Sequence, residues 1–171
     1  MKVFLIGLPG SGKTTLGQQI AELQNKEFVD LDEEIVRGER QQIVDIFQKL
    51  GELRFRELEK QYLEKWCLSE TDFVMATGGG TPCHHKNIEL INTSGISVFL
   101  DEDVSKITER MLSTELAKRP LFADQDPSSI AIRIKQMKEE RLPFYRRAKL
   151  TFSSPELKAE IITDRIRSLE R

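Results

Sequence analysis

The sequence predicts an α/β fold in which one parallel sheet lies between layers of helices. Three observations predict it: five short apolar runs, helical patterns between them, and a glycine-rich turn joining the first run to the first helix. The runs are Val3–Ile6, 28–31, Phe73–Ala76, 96–100 and 150–152. Each is rich in β-branched or aromatic residues and bounded by Gly, Asp, Ser or Thr, as expected of strands buried on both faces of a parallel sheet. Between them, Leu16, Ile20 and Leu23 recur at helical spacing, as do Val104, Ile107 and Met111. Leu157, Ile161 and Leu169 predict one face of a C-terminal helix. Right-handed crossovers follow, with ligands expected beyond the carboxyl ends of the strands. Residues 33–69 are too many for one crossover helix and read as two or three. Ile43, Ile46, Phe47 and Leu50 form one apolar stripe there, and Phe55, Leu58, Tyr62 and Trp66 another. This stretch is expected to be a small helical lobe after the second strand. Residues 113–129, charged and carrying Pro120 and Pro127, read as a mobile loop or lid.

At 171 residues the chain is the size of one domain. Its 26 basic and 28 acidic residues give a net charge of −2, which argues against a nucleic-acid binder. Cys67 and Cys83 form no CxxC pair and are expected to be reduced thiols. The N-terminal apolar stretch, Val3–Ile6, is far short of a signal-peptide core, and no run approaches the roughly 20 residues that span a bilayer. A cytoplasmic protein with no membrane partner is expected.

The turn after the first strand reads Gly7-Leu8-Pro9-Gly10-Ser11-Gly12-Lys13-Thr14, which meets G-x-x-x-x-G-K-[ST] at every fixed position. Its glycines let backbone N–H groups converge on phosphate oxygens, and the helix that follows adds its positive dipole end. Lys13 is placed to bridge the β- and γ-phosphates of ATP, and the Thr14 hydroxyl to hold Mg²⁺. Gly10, Ser11, Gly12, Lys13, Thr14 and Thr15 are the candidate nucleotide-binding residues.

The acceptor must be read from the other polar residues. Asp30 and Asp32 flank Leu31 at the end of the second strand, and strand alternation puts both on one side. Such a pair suits a metal-water ligand and a general base, yet Asp32-Glu33-Glu34 is equally a good helix start. Arg56 and Glu59 lie three apart: either a guanidinium presented to a substrate carboxylate, or a solvated ion pair. Gly78-Gly79-Gly80 ends the third strand and permits close backbone approach to a ligand. Arg119 precedes Pro120 in the lid, and Arg141 opens Arg141-Leu142-Pro143-Phe144-Tyr145. An arginine closing over the phosphates neutralises charge on the transferring group, and spacing does not say which one does so. His84 and His85 read as surface or helix-start residues. Trp66, Tyr62 and Phe55 read as lobe core.

In this order the motifs resemble those of the shikimate kinase family: GxxGxGK[ST], DxD at the second strand end, GExxFRxxE at residues 51–59, GGG, RP in the lid, and RxPxY. The resemblance covers nearly the whole chain. It implies a three-layer P-loop kinase fold with a five-stranded parallel sheet ordered 2-3-1-4-5, in a single kinase domain over 1–171. It further implies a substrate-binding lobe at about 33–61 and a lid at about 112–126. The activity it implies is Mg²⁺- and ATP-dependent phosphorylation of the shikimate 3-hydroxyl by a monomer. By the same matching, Asp32 is the catalytic base and binds ring hydroxyls, Arg56 and Arg141 grip the carboxylate, and Gly78, Gly79 and Gly80 line the substrate. Lys13 and Arg119 stabilise the phosphates, and Thr14 with Asp30 holds the metal. The family pattern also has an adenine-stacking arginine shortly before the lid, but Arg110 stands nine positions before Arg119, a wider spacing. Another small P-loop kinase, for gluconate or a nucleoside monophosphate, is the rival enzyme reading. A catalytically silent nucleotide-binding protein is the rival from another class.

Overall fold

The computed structural model describes residues 1–113 and 127–169. In chain order the elements are β1 Val3–Ile6, α1 Lys13–Gln24, β2 Glu27–Asp30, α2 Leu31–Glu39, α3 Ile43–Leu68, β3 Phe73–Ala76, α4 Asn87–Ser94, β4 Ile96–Asp101, α5 Val104–Ser113, α6 Pro127–Tyr145, β5 Leu150–Ser153 and α7 Ala159–Leu169. A 3₁₀ turn, Thr81–Cys83, follows β3. The strands form one five-stranded parallel sheet in the order β2-β3-β1-β4-β5.

Strand alternation divides the core into two layers. Phe4, Ile6, Phe73, Met75, Val29 and Phe99 face α2 to α6, with Ile35, Leu58, Ile91, Ile107 and Ile134 among their buried partners. Val3, Leu5, Val74 and Val98 face the other way, onto Ile20 of α1 and Ile162 and Ile166 of α7. Each fully buried aliphatic side chain contributes roughly 1.5–3 kcal/mol. Helices on both faces leave β1 and β3 buried at every position.

The edge strands depart from the expected continuous burial. β5 alternates buried and exposed residues, and in β2 only Val29 is fully buried, because each has one neighbouring strand and incomplete helix cover. The expected face of the C-terminal helix is also corrected. Ile161 is 41% and Leu169 50% exposed, whereas Ala159, Ile162, Thr163 and Ile166 are buried, a stripe rotated by one residue. Leu23 and Leu50 likewise lie outside the core. Residues 31–68 form three helical segments, since α3 breaks at Gly51, whose φ of 80° and ψ of 169° belong to neither helix nor ordinary L-residue space. Of the range read as a lid, residues 112–113 belong to α5 and 114–126 lie outside the described residues, and α6 begins at Pro127, inside the stretch read as loop. Trp66 and Tyr62 are only partly buried, and Trp66 reaches the sheet, meeting Phe73 edge-on at 5.3 Å. Among the described residues no helix is long and apolar enough to cross a membrane.

Candidate active site

Parallel strands deliver all their carboxyl ends to one edge of the sheet, and the loops after β1, β2 and β3 meet there. With α3, α5 and α6 they enclose a cavity of about 630 Å³. Its lining includes Gly10, Gly12, Lys13, Thr14, Thr15, Asp30, Asp32, Arg56, Glu59, Gly78, Gly79, Gly80, Arg110 and Arg141. Of the sequence-predicted site residues, Arg119 lies outside the described residues. Ser11 sits in the phosphate loop, its Oγ buried without a partner.

One wall is the loop after β1. Gly10 and Gly12 hold φ of 81° and 94°, which side-chain-bearing residues rarely adopt and which wind the loop into the start of α1. Lys13 is buried, and its Nζ donates to the carbonyls of Gly7 at 2.9 Å and Leu8 at 2.8 Å. Thr14 Oγ1 donates to Asp30 Oδ2 at 3.0 Å. These adjacent oxygens, a hydroxyl and a carboxylate, are the hard donor set that Mg²⁺ takes alongside nucleotide phosphates. Among the described residues no group of three or more His, Cys, Asp or Glu forms a metal cage, and a phosphate-bridged Mg²⁺ needs none.

The DxD segment differs from its strand reading. β2 stops at Asp30, whose Oδ1 accepts from the backbone N–H of Asp32 and Glu33 and so caps α2. The cap is therefore Asp30 rather than Asp32, and Asp32 stands in the first helical turn with its side chain left for the cavity. Both carboxylates reach the site, through a strand-to-helix turn instead of alternation.

The opposite wall is assembled from distant segments. Arg56 Nη1 donates to Glu59 Oε2 at 2.6 Å, and its Nη2 to Glu52 Oε1 at 3.0 Å. Arg56 and Glu59 are 7% and 1% exposed, so the pair is buried and not the solvated bridge that spacing also allowed. Burial opposes the Arg56 charge, but Glu59 and Glu52 outweigh it and hold the guanidinium protonated. Glu59 Oε1 accepts from the Thr81 hydroxyl at 2.5 Å, which pins the turn after β3 to α3.

The three glycines pass directly against these charged heads. A Cβ on Gly78 would lie 2.6 Å from Glu59 Oε1, on Gly79 2.9 Å from Arg141 Nη1, and on Gly80 2.5 Å from Arg56 Nη1. The glycine run therefore makes room for the site's own side chains. Tyr145, buried on α6 one turn beyond Arg141, donates from its hydroxyl to the Gly79 carbonyl at 2.6 Å. Burial pushes its phenol up, which keeps it a donor.

Two buried polar atoms on the cavity wall have no hydrogen-bond partner: Asp32 Oδ1 and Arg141 Nη1. Burial, then the Glu59 and Asp30 charges, push Asp32 up to about 6, with Lys13 and Arg56 opposing. A carboxylate so placed takes protons more readily than an ordinary aspartate. Burial pushes the Cys83 thiol up to about 11, so it is held as a thiol, and both cysteines are free. Sequence reasoning gave no site role to Thr81, to Tyr145 at the end of the RxPxY motif, or to the wall of Ile43, Val44 and Phe47. The four-residue step from Arg141 to Tyr145 was the one available signal, since it places both on one helix face.

Comparison with known proteins agrees with this geometry. A family model described as shikimate kinase matches residues 9–170. A shikimate kinase from Azobacteroides pseudotrichonymphae is 38% identical over 151 residues, 88% of this chain and 88% of that one. One from Parabacteroides distasonis is 36% identical over 161 residues, 93% of this chain and 91% of that one. Among solved structures, shikimate kinase from Bacteroides thetaiotaomicron superposes with a TM-score of 0.88 at 32% identity, over 99% of this chain and 98% of that one. Shikimate kinase from Acinetobacter baumannii in complex with shikimate gives 0.86 at 32% identity, over 99% and 92%. With the family model matching almost every residue and the fold shared from end to end, the chain belongs to the shikimate kinase family.

Proposed function

We propose that this protein transfers the γ-phosphoryl group of ATP to the 3-hydroxyl of shikimate, the phosphorylation step on the route to chorismate and the aromatic amino acids. The observation that carries the reading is the pairing of the two partnerless buried atoms, Asp32 Oδ1 and Arg141 Nη1, on one cavity opposite the phosphate loop. An acceptor with a hydroxyl for the first and a carboxylate for the second satisfies both, and shikimate carries both groups.

Asp32 accepts the proton of the attacking hydroxyl, so that its lone pair is available to the γ-phosphorus. Arg56, oriented by Glu59 and Glu52, and Arg141 bind the substrate carboxylate, with the Gly79 backbone alongside. Lys13 leaves the Gly7 and Leu8 carbonyls for the phosphates, where it and Arg119 neutralise developing charge. Thr14 and, through water, Asp30 would hold Mg²⁺, which supplies charge neutralisation and orientation of the phosphates when bound. Residues 33–61 serve as the acceptor lobe and 112–126 as the lid, within one kinase domain over 1–171 that acts as a cytoplasmic monomer.

Coupled ADP release with MgATP and shikimate, gluconate, a nucleoside monophosphate or no acceptor tests this. Release that depends on shikimate is expected. Release with another acceptor would keep the phosphate loop and overturn the carboxylate assignment, and none with any acceptor would overturn the kinase reading.

A further inference from the structure

One buried carboxylate takes no part in the chemistry above. Glu102, directly after β4, is 4% exposed and lies at the nucleotide side of the sheet edge. A buried charge is retained only where partners offset its desolvation, so its partners indicate what it holds. Its Oε2 accepts from Arg110 Nη2 at 2.8 Å, and its Oε1 accepts from the Asp103 backbone N–H at 3.0 Å. Lys106 Nζ lies 3.8 Å from Oε1, and Lys138 of α6 donates to the Glu102 carbonyl while pairing with Asp101.

Arg110 carries the connection onward. Its Nη1 donates to the Gly10 carbonyl at 3.1 Å, and it lines the same cavity as the phosphate loop. Gly10 is one of the loop's positive-φ residues and packs against Ile107 and Met111 of α5. A loop whose N–H groups converge on an anion must turn some carbonyls away from it, and such carbonyls need donors elsewhere. Arg110 supplies one to Gly10, and Glu102 fixes the guanidinium that does so.

We propose that Glu102 is a positioning residue for nucleotide binding: through Arg110 it holds the Gly10 carbonyl and so keeps the phosphate loop in its anion-binding conformation. The proposal rests on the loop being the ATP site, but it is independent of the identity of the acceptor.

Calorimetric titration with MgADP, and separately with shikimate, of wild type, Glu102→Gln, Arg110→Met and the double variant tests it. Glu102→Gln is expected to weaken MgADP about tenfold, the size of one lost charge-assisted contact, and to leave shikimate within about twofold. Because the two residues act in series, the double variant should bind MgADP no worse than Arg110→Met alone. Unchanged MgADP affinity in Glu102→Gln, additive losses in the double variant, or equal weakening of both ligands would each overturn the proposal. Arg110 is half exposed, so its variant reads the link even if Glu102→Gln fails to fold. Wild-type protein that binds MgADP but not shikimate would overturn the proposed reaction and not this assignment, which the MgADP arm decides alone.

Discussion

The two walls of the cavity are built on different principles. The phosphate wall is one continuous stretch of chain in which backbone conformation does most of the work: positive-φ glycines, a helix start, and Lys13 bonded to loop carbonyls. The acceptor wall is made of side chains from α2, α3, the turn after β3 and α6, crowded so closely that only glycine fits between them. Backbone N–H groups present partial positive charge at little cost, so the phosphate wall buries one whole charge, Lys13, whereas the acceptor wall buries Arg56 and Glu59 together. The phosphate wall should therefore lose stability where a side chain strains its positive-φ glycines, and the acceptor wall should show stability and activity pulling against each other.

The largest effect expected is on turnover. Asp32→Asn keeps the shape and removes the proposed base, and should lower kcat by about 10²–10⁴-fold, as measured by shikimate-dependent ADP release. Next come the two arginines. Arg56→Ala and Arg141→Ala should each raise the shikimate KM by about tenfold or more with the ATP KM nearly unchanged, the loss of one charged contact. They should part company in stability. Arg56→Ala strands the buried Glu59 carboxylate and should cost about 3–5 kcal/mol in denaturant unfolding, whereas Arg141→Ala removes a group whose Nη1 has no partner and should cost much less. Equal costs would erase the distinction drawn between them.

A smaller effect runs the other way. The folded state raises the Asp32 carboxyl from 3.8 to about 6. Below pH 4 it is protonated in both states and contributes no pH dependence. Between pH 4 and 6 the unfolded chain releases a proton that the folded chain keeps, so the charge penalty on folding grows with pH and levels off above 6. In metal-free protein Asp32→Asn should accordingly gain up to about 3 kcal/mol at pH 7.5, with the gain fading toward pH 4. Denaturant melts at both pH values check it, and a loss of stability at pH 7.5 would show that Asp32 is structural. Smallest is Asp30→Ala, which removes the α2 cap and should cost about 1 kcal/mol while raising the Mg²⁺ needed for half-maximal activity.

The same contrast explains what the sequence made legible. Val3–Ile6, the Gly7 to Thr14 pattern and Phe73–Ala76 could be read in place, because the forces that shape them act within a few residues. Both edge strands were read as fully buried because burial there depends on where the sheet stops. Asp32 stays open between a strand-end carboxylate and a helix start because nothing local says that Asp30 caps the helix. The Ile161 face was offset by one residue because Leu157 lies ahead of the helix that starts at Ala159. On the acceptor wall, Arg56 and Glu59 could be paired by spacing, but their burial could not. Nor could Thr81 on Glu59 or Tyr145 on Gly79, contacts spanning 22 and 66 residues. The ordered motif set named residues that line one cavity because it carries such long-range pairings implicitly.

The most direct test of the two-wall account is a pair of calorimetric titrations of wild type and Arg141→Ala, one with shikimate and one with MgADP. The account predicts that shikimate affinity falls by about tenfold or more while MgADP affinity stays within about twofold. Equal weakening of both ligands, or unchanged shikimate affinity, would contradict it.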